Sequence, residues 1–210
     1  MTVWDLSVPT VDGVDWYREA GCIPVRLRDL GSLAHEGWLS HELSLMVLNG
    51  CTYLEASGHV IAGGMTLDDL APERLITRAF VVELPLDGRL LHAPERDLDN
   101  FNAGEDAILL HCGWDAHLHA PDYYHASPYF AEDLQEWLLR HRPAILGSDV
   151  LSFDNPAGEA MPFVNAFFRQ SGLILCPLVG LSRLPATVTL CAAPLKLRGA
   201  HAAPCRALAW

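Results

Sequence analysis

Short apolar segments that end near proline or glycine recur along the chain, and they limit the fold more than any other feature. Such segments are typical of strands that enter a core. A few segments instead have apolar residues at helical spacing, and the clearest covers residues 131–140, with acids first and an arginine last, as the helix dipole favours. The mixture is neither a regular βαβ alternation nor an all-β pattern, so it predicts a mixed α/β fold.

The predicted elements are short and spread over the whole chain. Strands are predicted over residues 4–8, 40–48, 79–84, 107–110, 144–147, 173–181 and 186–194, and helices over 65–75, 131–140 and 164–170. A chain of 210 residues can bury a sizeable core without help from disulfides or a metal. We therefore expect a single domain over residues 1–210.

Charge and hydropathy narrow the classes of partner. Acidic residues outnumber basic ones by 26 to 14, which gives a formal net charge of −12 with His neutral. Nucleic acids and anionic membranes attract basic faces, so neither is expected as a partner. The first ten residues lack the features of a signal peptide, and the longest apolar stretches are too short to cross a bilayer. The six cysteines form no C-x-x-C pair, so we expect a reduced, cytoplasmic protein.

Several motifs occur in a fixed order. Residues 49–59 read N-G-C-T-Y-L-E-A-S-G-H and continue into V-I-A-G-G-M-T-L-D-D-L-A-P-E-R-L-I. Around them lie W-D-L-S at 4–7, I-L-L-H-C-G-W at 108–114, G-S-D-V-L-S-F-D at 147–154 and A-P-C-R-A at 203–207. Together these segments resemble the metal-dependent cyclase family, whose best-known members are the bacterial kynurenine formamidases. The resemblance implies an α/β fold of the swivelling β/β/α type, a mixed sheet with a few helices.

The resemblance also implies a metal site whose ligands this chain has replaced. In the family the first motif reads H-x-G-T-H-x-D-x-P-x-H, and its first two His and its Asp bind metal with a late His and a late Glu. The residues at these five positions are, in chain order, Asn49, Tyr53, Glu55, Asn165 and Pro177. A slip of one residue would put Cys176 at the last position. Neutral Asn, unionised Tyr and Pro bind zinc or manganese poorly, so we expect no metal and no other cofactor.

Among the motif histidines only His59 keeps the family identity, at the position that donates or accepts a proton in the family. A Glu–His pair four residues apart can perform acid–base chemistry without metal, so we expect Glu55 to orient His59. Tyr53 is expected to donate to a developing oxyanion. The further residues expected to converge on the same pocket and bind substrate are Trp16, Asn49, Cys51 and Asn165.

Each candidate also has a structural interpretation. His59 can be a hydrogen-bonded core histidine, and Glu55 can pair with an arginine. Asn49, Tyr53 and Asn165 can satisfy one another in a vacated metal cavity. Both alternatives stay open at the level of the sequence.

Other conspicuous residues are interpreted as structural. We expect Cys51 and Cys176 to be small apolar packing residues rather than thiol nucleophiles. The cluster of histidines is assigned to a loop or the surface, and it comprises His111, His117, His119 and His125. The acidic and hydroxyl residues of the 147–154 motif are assigned to turns and strand ends, and they are Asp149, Ser152 and Asp154.

The sequence therefore predicts a cyclase-family enzyme that hydrolyses, cyclises, dehydrates or isomerises a small carbonyl compound, such as an amide, a lactam or a polyketide-like molecule, without metal. One alternative is an inactive homologue that binds a small molecule or regulates another protein. Another is an arylformamidase-like hydrolase with a rewired metal site that uses Glu55, His59 and a loop His. The resemblance also implies a homodimer or homotetramer.

Overall fold

The computed structural model describes residues 1–19, 21–95, 97–158 and 161–210. Its strands are β1 (Trp4–Asp5), β2 (Arg26–Leu30), β3 (Ser40–Ser44), β4 (Tyr53–Glu55), β5 (Ile76–Glu83), β6 (Leu86–Asp87), β7 (Leu90–Leu91), β8 (Ala107–His111), β9 (Tyr129–Phe130), β10 (Ile145–Ser148), β11 (Leu173–Cys176), β12 (Thr187–Pro194) and β13 (Ala202–Ala209). The α-helices are α1 (Glu132–His141) and α2 (Pro162–Phe168). The mixed α/β fold that the pattern predicts is confirmed.

A mixed sheet of eight strands forms the centre of the molecule, in the order β1-β13-β12-β5-β8-β10-β11-β4. Strands β5, β8, β10 and β11 pair in parallel, and the other neighbours are antiparallel. Strand β13 also pairs with β4, so the last strand of the order meets the second. This second pairing places β4 between β11 and β13.

Alternation along the central strands explains why apolar residues pack on both faces of the sheet. In β8, Ile108 and Leu110 belong to one buried cluster, whereas Ala107 and Leu109 belong to another. Successive side chains of a strand point to opposite faces, and a parallel strand covered on both faces reads as a continuous apolar run. The predicted strand at 107–110 is therefore confirmed as a buried central strand.

Both helices lie near their predicted positions. Helix α1 buries Leu134, Trp137 and Leu138 and has acidic residues in its first turn. Its C-cap is the following residue, Arg142, which adopts a left-handed conformation with φ 54°. Helix α2 has Pro162 in its first turn, where a missing N–H costs nothing. No helix within the described ranges is long and apolar enough to cross a membrane.

Residues 65–75 do not form the predicted α-helix. Two short 3-10 turns, Leu67–Asp69 and Pro72–Leu75, replace it. Pro72 disfavours a helical conformation in the residue before it, and Ala71 is extended with ψ 134°. The Thr66 hydroxyl donates to the carboxylates of Asp68 and Asp69, and the residue makes no side-chain cap, so the predicted N-cap does not form.

The hairpin of β2 and β3 differs from the predicted core strand at 40–48. All ten residues of the two strands are exposed, including the directly opposed Leu27 and Leu43. The apolar residues that reach the core follow the strand instead, and they include Val47 and Leu48. The prediction of a core strand is therefore wrong for Ser40–Ser44, although the chain does enter the core just beyond it.

Candidate functional site

Strand β4 brings two of the predicted catalytic residues to one face. Tyr53 and Glu55 are separated by Leu54, which packs on the opposite face in the other buried cluster. The 3-10 turn Ser57–His59 follows directly and adds His59. All three polar side chains line one cavity of about 270 Å³.

The cavity combines aromatic and aliphatic side chains with polar ones such as Glu55, His59 and Asn155. Its other described walls include Tyr17, Leu48, Tyr124, Leu151, Ser152, Phe153, Asp154, Met161, Val164 and Ile174. Apolar walls with a few convergent polar groups are typical of small-molecule sites. No lysine or arginine is among the described residues that line it.

Glu55 and His59 form the polar centre of this cavity. Glu55 is 5% exposed, and its Oε1 lies 3.3 Å from Nδ1 of His59. The two atoms are close, but the geometry does not make a hydrogen bond, so this buried oxygen has no partner among the described residues. Burial raises the pKa of Glu55 to about 8. Within residues 1–19, 21–95, 97–158 and 161–210, Glu55 forms no ion pair with an arginine.

His59 is influenced by a second imidazole. Its ring centroid lies 5.2 Å from that of His201, the residue before β13. Partial burial lowers the pKa of His59, and the nearby His201 lowers it further because two positive charges repel. Burial raises the pKa of Glu55, so both groups are shifted toward their uncharged forms.

Tyr53 remains a neutral phenol. It is 4% exposed, and its hydroxyl oxygen accepts a hydrogen bond from Sγ of Cys176 at 3.1 Å. Burial raises the pKa of both groups well above their ordinary values, with nearby Glu55 contributing in the same direction. The carbonyl of the next residue, Pro177, accepts a hydrogen bond from the Thr52 hydroxyl at 2.6 Å. Cys176 is thus the residue that contacts Tyr53.

The other four predicted substrate contacts do not line the cavity, which corrects the expectation that all of them converge there. Trp16 packs against Tyr123 at 5.6 Å, and its neighbour Tyr17 takes the place in the wall. The side-chain amide of Asn165 donates to the carbonyl of Met161, the residue before α2, and does not line the cavity.

The remaining two residues of this group are bound to the backbone around them. Sγ of Cys51 donates to the carbonyl of Val47 at 3.1 Å, and burial raises its pKa to about 12, which fits a packing residue. Asn49 is fully buried and is hydrogen-bonded to the loop that carries Trp16. Asn49, Tyr53 and Asn165 therefore do not satisfy one another as a group.

The predicted structural roles of two aspartates are confirmed. Asp149 accepts hydrogen bonds from the backbone N–H groups of Cys112, Gly113 and Trp114. Asp154 accepts from the first N–H groups of α2, those of Phe163 and Val164, at 2.9 and 3.0 Å. The four histidines of the cluster are also placed as expected, since His117, His119 and His125 are exposed and His111 ends β8.

Ser152 is the site residue that the sequence analysis missed. It lines the cavity, and its buried hydroxyl oxygen has no partner among the described residues. A buried polar atom left unpaired is costly, so a hydroxyl in such a place is suited to a ligand. The spacing of the 147–154 motif gave no signal that separates this serine from the two aspartates.

Replacing Asp154 by Ala is expected to destabilise α2, because two backbone donors at its start would lose their acceptor. Capping losses of this kind cost about 1–2 kcal/mol. Urea unfolding followed by tryptophan fluorescence measures the change, with Asp154→Asn as a milder variant that keeps one acceptor. An unchanged midpoint for Asp154→Ala would contradict this assignment.

The residues present do not fit the metal ion that the family resemblance implies. Tyr53 stays protonated, while Asn49 and Asn165 are engaged elsewhere. Burial holds the thiol of Cys176 protonated as well. Zinc and manganese sites need several anionic or imidazole donors, and in the described parts of the chain no three His, Cys, Asp or Glu side chains are grouped to provide one.

Comparison with known proteins identifies the family to which this chain belongs. The family described as "Putative cyclase" matches residues 4–155. A protein described as a potential metal-dependent hydrolase with cyclase activity is 20% identical, with a TM-score of 0.79 over 99% of this chain and 96% of the other. A comparison with curated proteins gave no match. Since the family match spans more than half of the sequence, the chain belongs to the cyclase family.

Two further solved structures share the fold. A predicted metal-dependent hydrolase from Bacillus stearothermophilus is 21% identical, with a TM-score of 0.79 over 99% of this chain and 97% of the other. Isatin hydrolase A from Ralstonia solanacearum is 19% identical, with a TM-score of 0.77 over 99% of this chain and 91% of the other. Likeness at this identity shows the fold, and the predicted swivelling β/β/α-type architecture is confirmed.

Proposed function

We propose that this protein is an enzyme that hydrolyses or cyclises a small carbonyl compound with Glu55 and His59 as an acid–base pair, without the metal of its family. The observation that carries the proposal is the buried Oε1 of Glu55, which has no hydrogen-bond partner in the part of the chain that the structure describes and lies 3.3 Å from Nδ1 of His59 inside the cavity. Pairs of titratable groups whose surroundings push their pKa values apart are suited to acid–base roles.

The protonation states suggest which residue does what. Near neutral pH the imidazole of His59 is free to accept a proton from water, whose oxygen bonds to the carbonyl carbon. The protonated carboxyl of Glu55 can donate to the departing nitrogen or oxygen as its bond to that carbon breaks. Positioned acid–base groups of this kind contribute roughly 10²–10⁴-fold in rate. The neutral hydroxyls of Tyr53 and Tyr17 can donate to the oxyanion that forms.

The cavity also indicates the kind of substrate. Its aromatic walls suit an uncharged, flat molecule with a few polar groups, and so do Oε1 of Glu55 and Oγ of Ser152, which lack a hydrogen-bond partner among the described residues. Isatin, the molecule in the name of one structural neighbour, is a cyclic amide of this size and is therefore a reasonable probe.

The test is turnover of isatin, formanilide and simple lactams by the wild type with EDTA present throughout. We expect turnover that persists with the chelator and falls at least ~100-fold in Glu55→Gln and in His59→Gln. His41→Gln is the matched control, because His41 lies on the exposed hairpin beside Asp29. Turnover that EDTA abolishes, or that survives in both site variants, would contradict the mechanism.

A ligand-binding protein without turnover is the second candidate. The replacement of the family's metal ligands by Asn49 and Asn165 favours this candidate. Both side chains are turned away from the cavity, so these two positions no longer serve catalysis. Isatin that raises the melting temperature without being converted would support this candidate over the enzyme. Assembly into a homodimer or homotetramer stays a prediction, and light scattering on the eluting protein measures it.

A further inference from the structure

Asn49, the residue at the family's first ligand position, is hydrogen-bonded to a loop. Asn49 is fully buried, and its Oδ1 accepts a hydrogen bond from the backbone N–H of Trp16 at 2.7 Å. Its Nδ2 donates to Oδ1 of Asp15 at 2.8 Å and to the carbonyl of Ile23 at 3.3 Å. One side chain therefore joins both arms of the N-terminal loop, which we define as residues 11–19 and 21–25.

The next residue makes room for the same loop. A Cβ on Gly50 would lie 2.4 Å from Cγ2 of Val25 and 3.4 Å from Cγ1 of Val14. Gly50 also has φ +95°, which side chains rarely adopt. The base of the loop is closed by the N–H of Val25, which donates to the carbonyl of Val14 at 2.9 Å. The Asn49–Gly50 pair is thus shaped to receive the N-terminal loop.

The held loop presents an aromatic side chain to the cavity. Tyr17 follows Trp16 and lines the cavity beside Tyr124, with the two ring centroids 4.3 Å apart. His125 also holds Tyr17 in place, because its Nε2 lies 3.1 Å from the carbonyl of Tyr17. Tyr17 therefore depends on two supports, one of which begins at Asn49.

We propose that Asn49 is a positioning residue that holds Tyr17 against the substrate cavity through the N-terminal loop. The inference rests on the proposed function in one respect, namely that this cavity is where the substrate binds. It assigns Asn49 a role at a distance from the reacting atoms, with no direct substrate contact. A position that serves metal binding in the family would here serve the shape of the pocket.

The contact between Asn49 and Asp15 permits an exchange experiment. Asn49→Asp keeps an acceptor for Trp16 but sets two carboxylates against each other, which repels the loop. Asp15→Asn alone keeps an acceptor for Asn49 and is the mild parent. The double variant Asp15→Asn with Asn49→Asp restores one donor and one acceptor with their places exchanged. Asn165→Asp is the control for adding a carboxylate at an asparagine outside the cavity.

Two measurements report the effect of these variants, namely amide hydrogen exchange and the affinity for isatin. Amide hydrogen exchange at Trp16 is expected to quicken at least ~10-fold in Asn49→Asp and to return toward the wild-type rate in the double variant. The dissociation constant for isatin is expected to rise ~10-fold in Asn49→Asp and to recover in the same way. Where turnover is measurable, KM should change more than kcat, because Glu55 and His59 are untouched.

The outcomes separate this inference from the proposed function. Wild-type exchange at Trp16 in Asn49→Asp, or no recovery in the double variant, would overturn the positioning role. Failure of the wild type to bind or convert any probe would contradict the proposed function, while the exchange result would still decide whether Asn49 holds the loop. If Asn49→Asp does not fold, recovery of folded protein in the double variant tests the same contact.

Discussion

Glu55→Gln is expected to stabilise the folded protein at alkaline pH. Burial raises the pKa of Glu55 to about 8 in the folded chain, whereas the unfolded chain releases this proton near the ordinary value of 4.5. Below that value both states are protonated, so the wild type has its full stability with respect to this group. Between pH 4.5 and 8 only the unfolded chain gains by ionising, so the free energy of unfolding falls, by up to about 5 kcal/mol.

The variant should lack this fall, so the difference in the free energy of unfolding between the two proteins should grow from pH 5 to about pH 8 and then level off. Urea unfolding followed by tryptophan fluorescence across this range measures it. His59, whose pKa is lowered, acts in the opposite sense and at lower pH: its contribution is complete above 6.5 and is lost as pH falls through its folded pKa. The facing Tyr53, Tyr17 and Cys176 stay protonated throughout, because their pKa values are raised.

A matched control separates burial from charge. Glu42 lies on the exposed hairpin beside Arg28, so Glu42→Gln should give a stability curve parallel to that of the wild type. Parallel curves for Glu55→Gln and the wild type would instead mean that Glu55 ionises in the folded protein as it does in water. In that event the carboxyl could not be the acid of the proposed pair near neutral pH.

Asp149→Ala is expected to cause the second large change. The carboxylate is 1% exposed and accepts hydrogen bonds from three consecutive backbone N–H groups, those of residues 112–114. Its removal would leave these donors without their acceptor, and each orphaned group costs about 1–3 kcal/mol when it stays buried. We expect a loss of roughly 2–4 kcal/mol in the free energy of unfolding, since some of the donors will reach water.

The free energy of unfolding of Asp149→Asn should lie between those of the wild type and Asp149→Ala. The amide keeps one acceptor oxygen, but its NH₂ group faces backbone groups that are themselves donors. Asp87 is exposed in the short strand β6, and Asp87→Asn is the control for a change of charge alone. Thermal and urea unfolding measure all three variants. A loss below about 0.5 kcal/mol for Asp149→Ala, the range of ordinary surface substitutions, would contradict the turn assignment.

The sequence predicted the fold better than the site, for a physical reason. Strands such as β8 and helix α1 are specified by local periodicity, which each short segment carries by itself. Glu55 and His59 were also predictable, since one strand and one turn place both within four residues. The motif order then supplied the family and its topology.

What sequence reasoning could not predict depends on side-chain direction and on distant packing. Trp16 and Tyr17 are adjacent, and only the loop geometry decides which of them enters the wall. On α2, Val164 lines the cavity and the adjacent Asn165 does not, which is again a matter of side-chain direction. The role of Ser152 can be inferred only because its buried hydroxyl lacks a hydrogen-bond partner among the described residues. The raised pKa of Glu55 can be inferred only from its burial in the folded protein.

The pairing of β13 with β4 has a consequence for biosynthesis. Ala202 lies opposite Glu55 in this pairing, so the strand that carries the site is completed by residues near the far end of the sequence. Contacts between such distant residues form late and slow folding. During translation, Glu55 will therefore lack one of its two neighbouring strands until residues 202–209 have left the ribosome.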